Sequence, residues 1–127
     1  MTKIKDKNER NRTMYHSIQS RIKENHPDVV VIEDVVLQHS VKTLIELARL
    51  QGIIIGICDL YGINCVILKT TEWRKLLGFN QGKIKREDLK KQAISYIKEK
   101  YNQDVTSDEA DAICIALAAK IKLNEEV

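Results

Sequence analysis

The sequence predicts an α/β fold, and three observations carry this prediction. Val29–Ile32 is an uninterrupted β-branched run, which is typical of a strand covered on both faces of a sheet. A long helical pattern follows it, and Ile63–Leu68 has the length and composition of a second strand. A helix between two strands forms a βαβ unit, so the strands should be parallel. A very apolar segment, Ala110–Ala119, then predicts a helix that is buried nearly all round.

Composition places the chain among ordinary globular proteins. Its 127 residues are 43% hydrophobic and 31% charged, and we expect one domain over residues 1–127. The net charge is only +3, so a surface for an acidic partner has to come from local clustering. Three cysteines in apolar runs, without a CxxC pair, are typical of reduced residues in an intracellular protein. No signal peptide opens the chain and no apolar run could cross a bilayer, so we expect a cytoplasmic location and no membrane partner.

The other elements follow from periodicity and from residues that begin or end helices. Ser40 can cap a long helix that ends before Gly62. The spacing of apolar residues along this helix predicts its buried side. The expected elements are a basic arm up to Asn8 and helices over Glu9–Glu24, Ser40–Leu60, Thr71–Leu77 and Lys85–Lys100. The residues expected on the buried side of the long helix are Val41, Leu44, Ile45, Ala48 and Gly52.

Acidic residues stand at two positions where α/β proteins place ligands. Glu33 follows the first strand, at the carboxyl end where open sheets bind ligands. Thr106 and Glu109 have the spacing of a capping box, and Asp108 and Asp111 project on one side of the helix that follows. Two carboxylates on a buried helix repel each other and are unfavourable to bury, and a divalent cation would offset both effects. The alternative is that these acids only complement the helix N-terminus or reach solvent.

The order of these features resembles the RuvC family of Holliday junction resolvases, within the RNase H-like nucleases. The similarity runs from roughly Glu9 to Ala119. The matching pieces are Val29-Val30-Val31-Ile32-Glu33, Ala48-Arg49-Leu50-Gln51-Gly52, Trp73-Arg74-Lys75-Leu76-Leu77-Gly78, Lys83-Ile84-Lys85-Arg86 and Asp108-Glu109-Ala110-Asp111-Ala112. The resemblance implies an RNase H-like domain whose partial sheet has parallel strands flanked by helices.

The resemblance also implies a function and its residues. Glu33, Asp108 and Asp111 would be catalytic ligands of Mg²⁺, with Mn²⁺ as a possible substitute. Lys85, or its neighbour Lys83, would match the basic residue near the scissile phosphate. Lys83, Lys85 and Arg86 would bind the backbone of branched DNA. A family-like member would cut a four-way junction by phosphodiester hydrolysis as a homodimer, because the junction has two-fold symmetry.

One departure from the family keeps two other interpretations open. The family's first strand carries an essential aspartate, and no segment before Val29 matches it, so we expect an N-terminally incomplete domain with weak or no activity. Asp6 lies in the polar arm and is not expected to replace it. One alternative is a DNA-binding or interaction module that has lost activity. The other is an α/β module without a nucleic-acid role, whose acids are caps and surface groups.

Overall fold

The computed structural model describes residues 3–37 and 40–125. Seven elements follow one another along these residues and agree with the α/β prediction. They are α1 (Lys3–Asn25), β1 (Val29–Glu33), α2 (Val41–Leu60), β2 (Asn64–Leu68), α3 (Thr70–Leu76), α4 (Arg86–Tyr101) and α5 (Ser107–Glu125). In the described residues β1 and β2 form a two-stranded parallel sheet, and the chain divides into two compact units.

The first unit contains residues 1–30 and 35–65. In it α1 packs against α2, with an ion pair between Lys7 and Glu46 and a hydrogen bond of 3.2 Å from the Gln19 amide to the Tyr61 hydroxyl. The expected basic arm is wrong in part, because α1 already begins at Lys3. No proline or glycine interrupts these first residues, and lysine is a good helix former, so the helix extends through them.

The ends of α2 are as predicted, but its buried side is not. The Ser40 hydroxyl accepts a hydrogen bond of 3.1 Å from the Thr43 amide, and Gly62 ends the helix with a φ of +66°. Val41 and Ile45 are 62% and 44% exposed, although they were expected to be buried. Ala48 and Gly52 are exposed too, and only Leu44 of the predicted set is half-buried. Apolar residues occur on two faces of α2, so spacing alone could not tell which face packs inward.

The second unit contains residues 31–34 and 66–127, and its core lies between α3, α4 and α5. Trp73 is fully buried and contacts Phe79 edge-to-face, with 5.9 Å between ring centroids. The fully buried core residues are Leu68, Trp73, Ala93, Ile97, Ala110, Cys114 and Ala118. The prediction that Ala110–Ala119 is buried nearly all round is wrong, because Ala112 and Ala116 are exposed. These two alanines are four residues apart, so they lie on one face of α5, and that face is exposed to solvent.

The three cysteines are free thiols, and Cys58 and Cys114 are buried. Burial, together with Asp111, raises the pKa of the Cys114 thiol to about 11. A thiol with so high a pKa stays protonated and packs as a small apolar residue. Among the helices of the described residues, none is long and apolar enough to span a membrane.

Candidate functional site

The first acid, Glu33, is the last residue of β1 and is exposed to solvent. Its Oε1 atom accepts a hydrogen bond from the Thr70 hydroxyl at the start of α3. The next backbone amide, of Asp34, donates to the carbonyl of Leu68 over 2.8 Å, which continues the pairing with β2. Glu33 is therefore held at the carboxyl end of the sheet, where the sequence placed it.

The other two acids lie in the N-terminal part of α5, with Asp108 in its first turn and Asp111 three residues later. The Thr106 amide donates to Glu109 Oε1 over 3.0 Å, and the Glu109 amide donates to Thr106 Oγ1 over 3.2 Å. These reciprocal bonds are the predicted capping box, and they lower the pKa of Glu109. The box fixes where α5 begins and so orients both Asp108, which is exposed, and Asp111, which is half-buried.

The electrostatics of Asp111 connect all three acids. Burial raises the pKa of Asp111 most, and Arg74 opposes this change. The negative charges of Glu33 and Asp108 raise it further, and Lys90 lowers it. Glu33 therefore acts on Asp111 through space, although β1 and α5 are far apart in the chain. Glu33 and Asp108 thus both act electrostatically on Asp111, and we call these three residues the acid cluster.

The acid cluster fits a metal ion by its chemistry more than by its present spacing. Carboxylate oxygens are the ligands that hard divalent cations prefer, and a cation would relieve the repulsion that Asp111 experiences. Yet the described residues contain no group of three or more His, Cys, Asp or Glu placed to hold one ion together. Glu33 and Asp108 repel Asp111, and further oxygen ligands besides these three acids would be needed to enclose an ion.

The predicted basic residues lie at the start of α4. Lys85 occupies the N-cap position of this helix without a capping bond from its side chain, and Arg86 is the first helical residue. Both are exposed, as is Lys83 in the preceding loop. The loop is fixed to α4, because the Gln92 side chain accepts from the Asn80 amide and donates to the Asn80 carbonyl, each over 2.9 Å. The segment Lys83–Lys91 carries five basic and two acidic residues, so its local charge of +3 equals that of the whole chain.

Three residues near the acid cluster were missed by sequence reasoning. Lys90 is exposed on α4, and its charge acts on Asp111. It lies four residues after Arg86 and therefore on the same face of the helix, which the spacing could have indicated. Arg74 belongs to one of the segments that resemble RuvC proteins, but that segment does not indicate a position near Asp111, and Thr70 belongs to none of them. No signal in one sequence shows that a hydroxyl will meet a carboxylate across the fold.

Comparison with protein-family models gives a match over residues 1–119 to the family described as crossover junction endodeoxyribonuclease RuvC. The chain belongs to this family. The match extends over the segment in which the sequence resembles RuvC proteins, so the predicted family is confirmed. A search of curated proteins found no match.

A solved structure supports the RuvC fold. The structure described as T. thermophilus RuvC in complex with Holliday junction substrate matches with a TM-score of 0.77 and 12% sequence identity. The similarity covers 98% of this chain and 74% of that chain. At so low an identity the match concerns the fold, and it confirms the RNase H-like class with a parallel sheet and flanking helices.

Proposed function

We propose that this chain is a metal-dependent, structure-selective endonuclease that resolves four-way DNA junctions by phosphodiester hydrolysis. The observation that carries the proposal is the electrostatic action of Glu33 and Asp108 on Asp111 in a chain of the RuvC family. Acidic side chains that repel one another near the carboxyl end of a sheet are typical of sites that bind cations and substrate. In this function residues 1–127 form one nuclease domain that acts in the cytoplasm.

In this mechanism the acid cluster would hold Mg²⁺, or Mn²⁺ in its place. When bound, such ions activate a water and stabilise the leaving oxygen in phosphodiester hydrolysis. Glu33 approaches from β1, and Asp108 and Asp111 approach from α5, so the ligands come from two rigid elements. Lys85 or Lys83 is the candidate for the basic residue near the scissile phosphate. Lys90 places a further positive charge near Asp111, where it would attract the same phosphate.

The DNA would be held by Lys83, Lys85 and Arg86, which we call the basic cluster. All three are exposed, so their charges are available to phosphates. The loop before α4 is fixed by the Asn80–Gln92 bonds, so the cluster is presented with little loss of conformational freedom. Arg86 and Lys90 lie on one face of α4, which connects the basic cluster with the acid cluster.

The proposed homodimer is supported by an exposed apolar stripe on α2, formed by Val41, Ile45, Ala48, Gly52 and Ile55. These residues recur at helical spacing, and Val41, Ile45 and Ile55 are 62%, 44% and 37% exposed. A Cβ atom built on Gly52 would meet no atom within 4 Å, so another helix could approach closely here. A second copy is the occupant we propose, because a C2 dimer matches the two-fold symmetry of a junction.

The dimer can be tested with two variants on the same helix. Ile45→Glu places a charge in the stripe and should give a monomer in light scattering. Leu47→Glu is the control, because Leu47 is 43% exposed, as Ile45 is at 44%, but lies on another face of α2. It should leave the dimer intact. A wild-type monomer, or a dimer that both variants leave unchanged, would contradict this part of the proposal.

A second function is supported by one observation. The described residues contain no ready-made group of three metal-binding side chains, as expected if the chain binds junctions without cutting them. A module of this kind would keep salt-dependent binding through the basic cluster and would not respond to metal. Metal-dependent cleavage therefore distinguishes the two functions.

The test of the proposed function is cleavage of a labelled four-way junction by the 127-residue chain with Mg²⁺ or Mn²⁺. We expect slow cutting at symmetric positions, because the acid cluster does not enclose an ion by itself. The cutting should disappear in Asp111→Asn and with a chelator. Binding of the junction without any cutting would favour the non-catalytic module, and equal cutting by Asp111→Asn would contradict the proposed site.

A further inference from the structure

Helix α3 contacts both elements that carry the acid cluster. At its start, the Thr70 hydroxyl donates to Glu33 Oε1 at the end of β1. In its middle, the fully buried Trp73 belongs to the same core as Ala110 and Cys114 of α5. Beside it, Glu72 accepts a hydrogen bond of 2.8 Å from Lys122 of α5. One short helix is therefore fixed to α5 by packing and an ion pair, and bonded to β1 through the Thr70 side chain.

The face of α3 that carries Thr70 also carries Arg74, because the two residues are four apart. The positive charge of Arg74 acts on Asp111. The guanidinium carbon lies 5.2 Å from the centroid of the Trp73 ring, and Arg74 Nε is buried with no hydrogen-bond partner among the described residues. Packing on a buried ring restricts the side chain. This face of α3 thus contacts Glu33 through a hydroxyl and carries a positive charge that acts on Asp111.

We propose that Thr70 is a positioning residue for Glu33, and that α3 holds Glu33 in register with the acids of α5. The inference rests on the proposed function, since it concerns the same acid cluster. A carboxylate has two oxygens, and the bond from Thr70 engages Oε1, so it leaves Oε2 to bind a metal. Without this bond the exposed Glu33 side chain would rotate among several rotamers. Ligands oriented by a neighbouring hydrogen bond bind metal more tightly.

The experiment measures the affinity of the full chain for Mn²⁺ alone, from the electron paramagnetic resonance signal of the free ion. The variants are Thr70→Val, which keeps the shape but removes the hydroxyl, and Thr70→Ser, which restores the hydroxyl. The matched control is Thr71→Val. Thr71 is exposed and adjacent, and its contact with Gln81 is made by the backbone carbonyl, so its side chain is dispensable. Circular dichroism verifies that each variant is folded, and Thr70→Ala replaces Thr70→Val if that variant is not.

We expect Thr70→Val to bind Mn²⁺ about 10- to 100-fold more weakly than wild type, the range for loss of a hydrogen bond to a metal ligand. Thr70→Ser should restore the affinity and Thr71→Val should not change it, a pattern that loss of fold stability would not produce. Wild-type affinity in Thr70→Val, or failure of Thr70→Ser to restore it, would overturn the positioning role alone. Absence of Mn²⁺ binding by the wild-type chain would contradict the proposed function, and this inference with it.

Discussion

The basic cluster gives the prediction with the clearest magnitude. Replacing Lys83, Lys85 and Arg86 with alanine removes three exposed positive charges at one end of α4. For duplex DNA, each phosphate contact contributes about −0.9 to the slope of log affinity against log salt concentration. If each side chain contacts one phosphate, the slope should become less steep by about 2.7. Between about 50 and about 200 mM salt, the variant should then lose about 40-fold less affinity than wild type does.

The assay is a titration of labelled four-way junction, followed by fluorescence anisotropy at four or more salt concentrations without divalent metal. The control variant replaces Lys91, Lys98 and Lys100 with alanine. It removes the same amount of positive charge from other positions of α4. Its slope should stay close to that of wild type, because Lys98 is paired with Asp104 and Lys100 lies over the Tyr96 ring. An unchanged slope in the first variant, or an equal change in both, would refute the assignment of the DNA-binding surface.

Three further predictions concern stability. Trp73→Ala should lower the free energy of unfolding by about 3–5 kcal/mol in a urea titration, because it empties a fully buried site. A loss below about 1 kcal/mol would contradict the full burial of Trp73. Thr106→Ala should cost about 1 kcal/mol through loss of the capping box, and Thr106→Ser should restore it. Asp111→Asn should be more stable than wild type at neutral pH. The folded-state pKa of Asp111 is raised, so wild type loses stability as pH rises from the ordinary aspartate pKa of 3.8 through the raised pKa. The advantage of the variant should vanish below this range, and a constant difference at every pH would contradict it.

The sequence predicted where helices begin and end better than it predicted which of their faces are buried. The start of α2 at Ser40, the glycine after it and the capping box of α5 all depend on local side chains, and the structure contains each of them. The buried side of α2 was predicted wrongly, because burial depends on which other elements pack against a helix. The exposed Ala112 and Ala116 show the same limit, since alanine fits both a buried and an exposed position.

Of the candidate site, only the acidic residues could be predicted from the sequence. A strand end and a capped helix start are local features, so Glu33, Asp108 and Asp111 could be named in advance. Thr70 and Arg74 belong to α3, and their relation to the acids arises only when α3 packs on α5 through Trp73. Lys90 was visible as a charge on α4, but its position near Asp111 depends on how that helix packs in the second unit.

The most direct test of the central claim is to locate bound metal in crystals of the chain soaked in Mn²⁺, from its anomalous scattering. We predict a peak between Glu33 of β1 and the two acids of α5, with carboxylate oxygens at distances normal for a divalent cation, about 2.0 to 2.6 Å. The peak should be lost in Asp111→Asn crystals. A peak elsewhere on the chain, or one that does not involve Glu33 and Asp111, would contradict the proposed nuclease site.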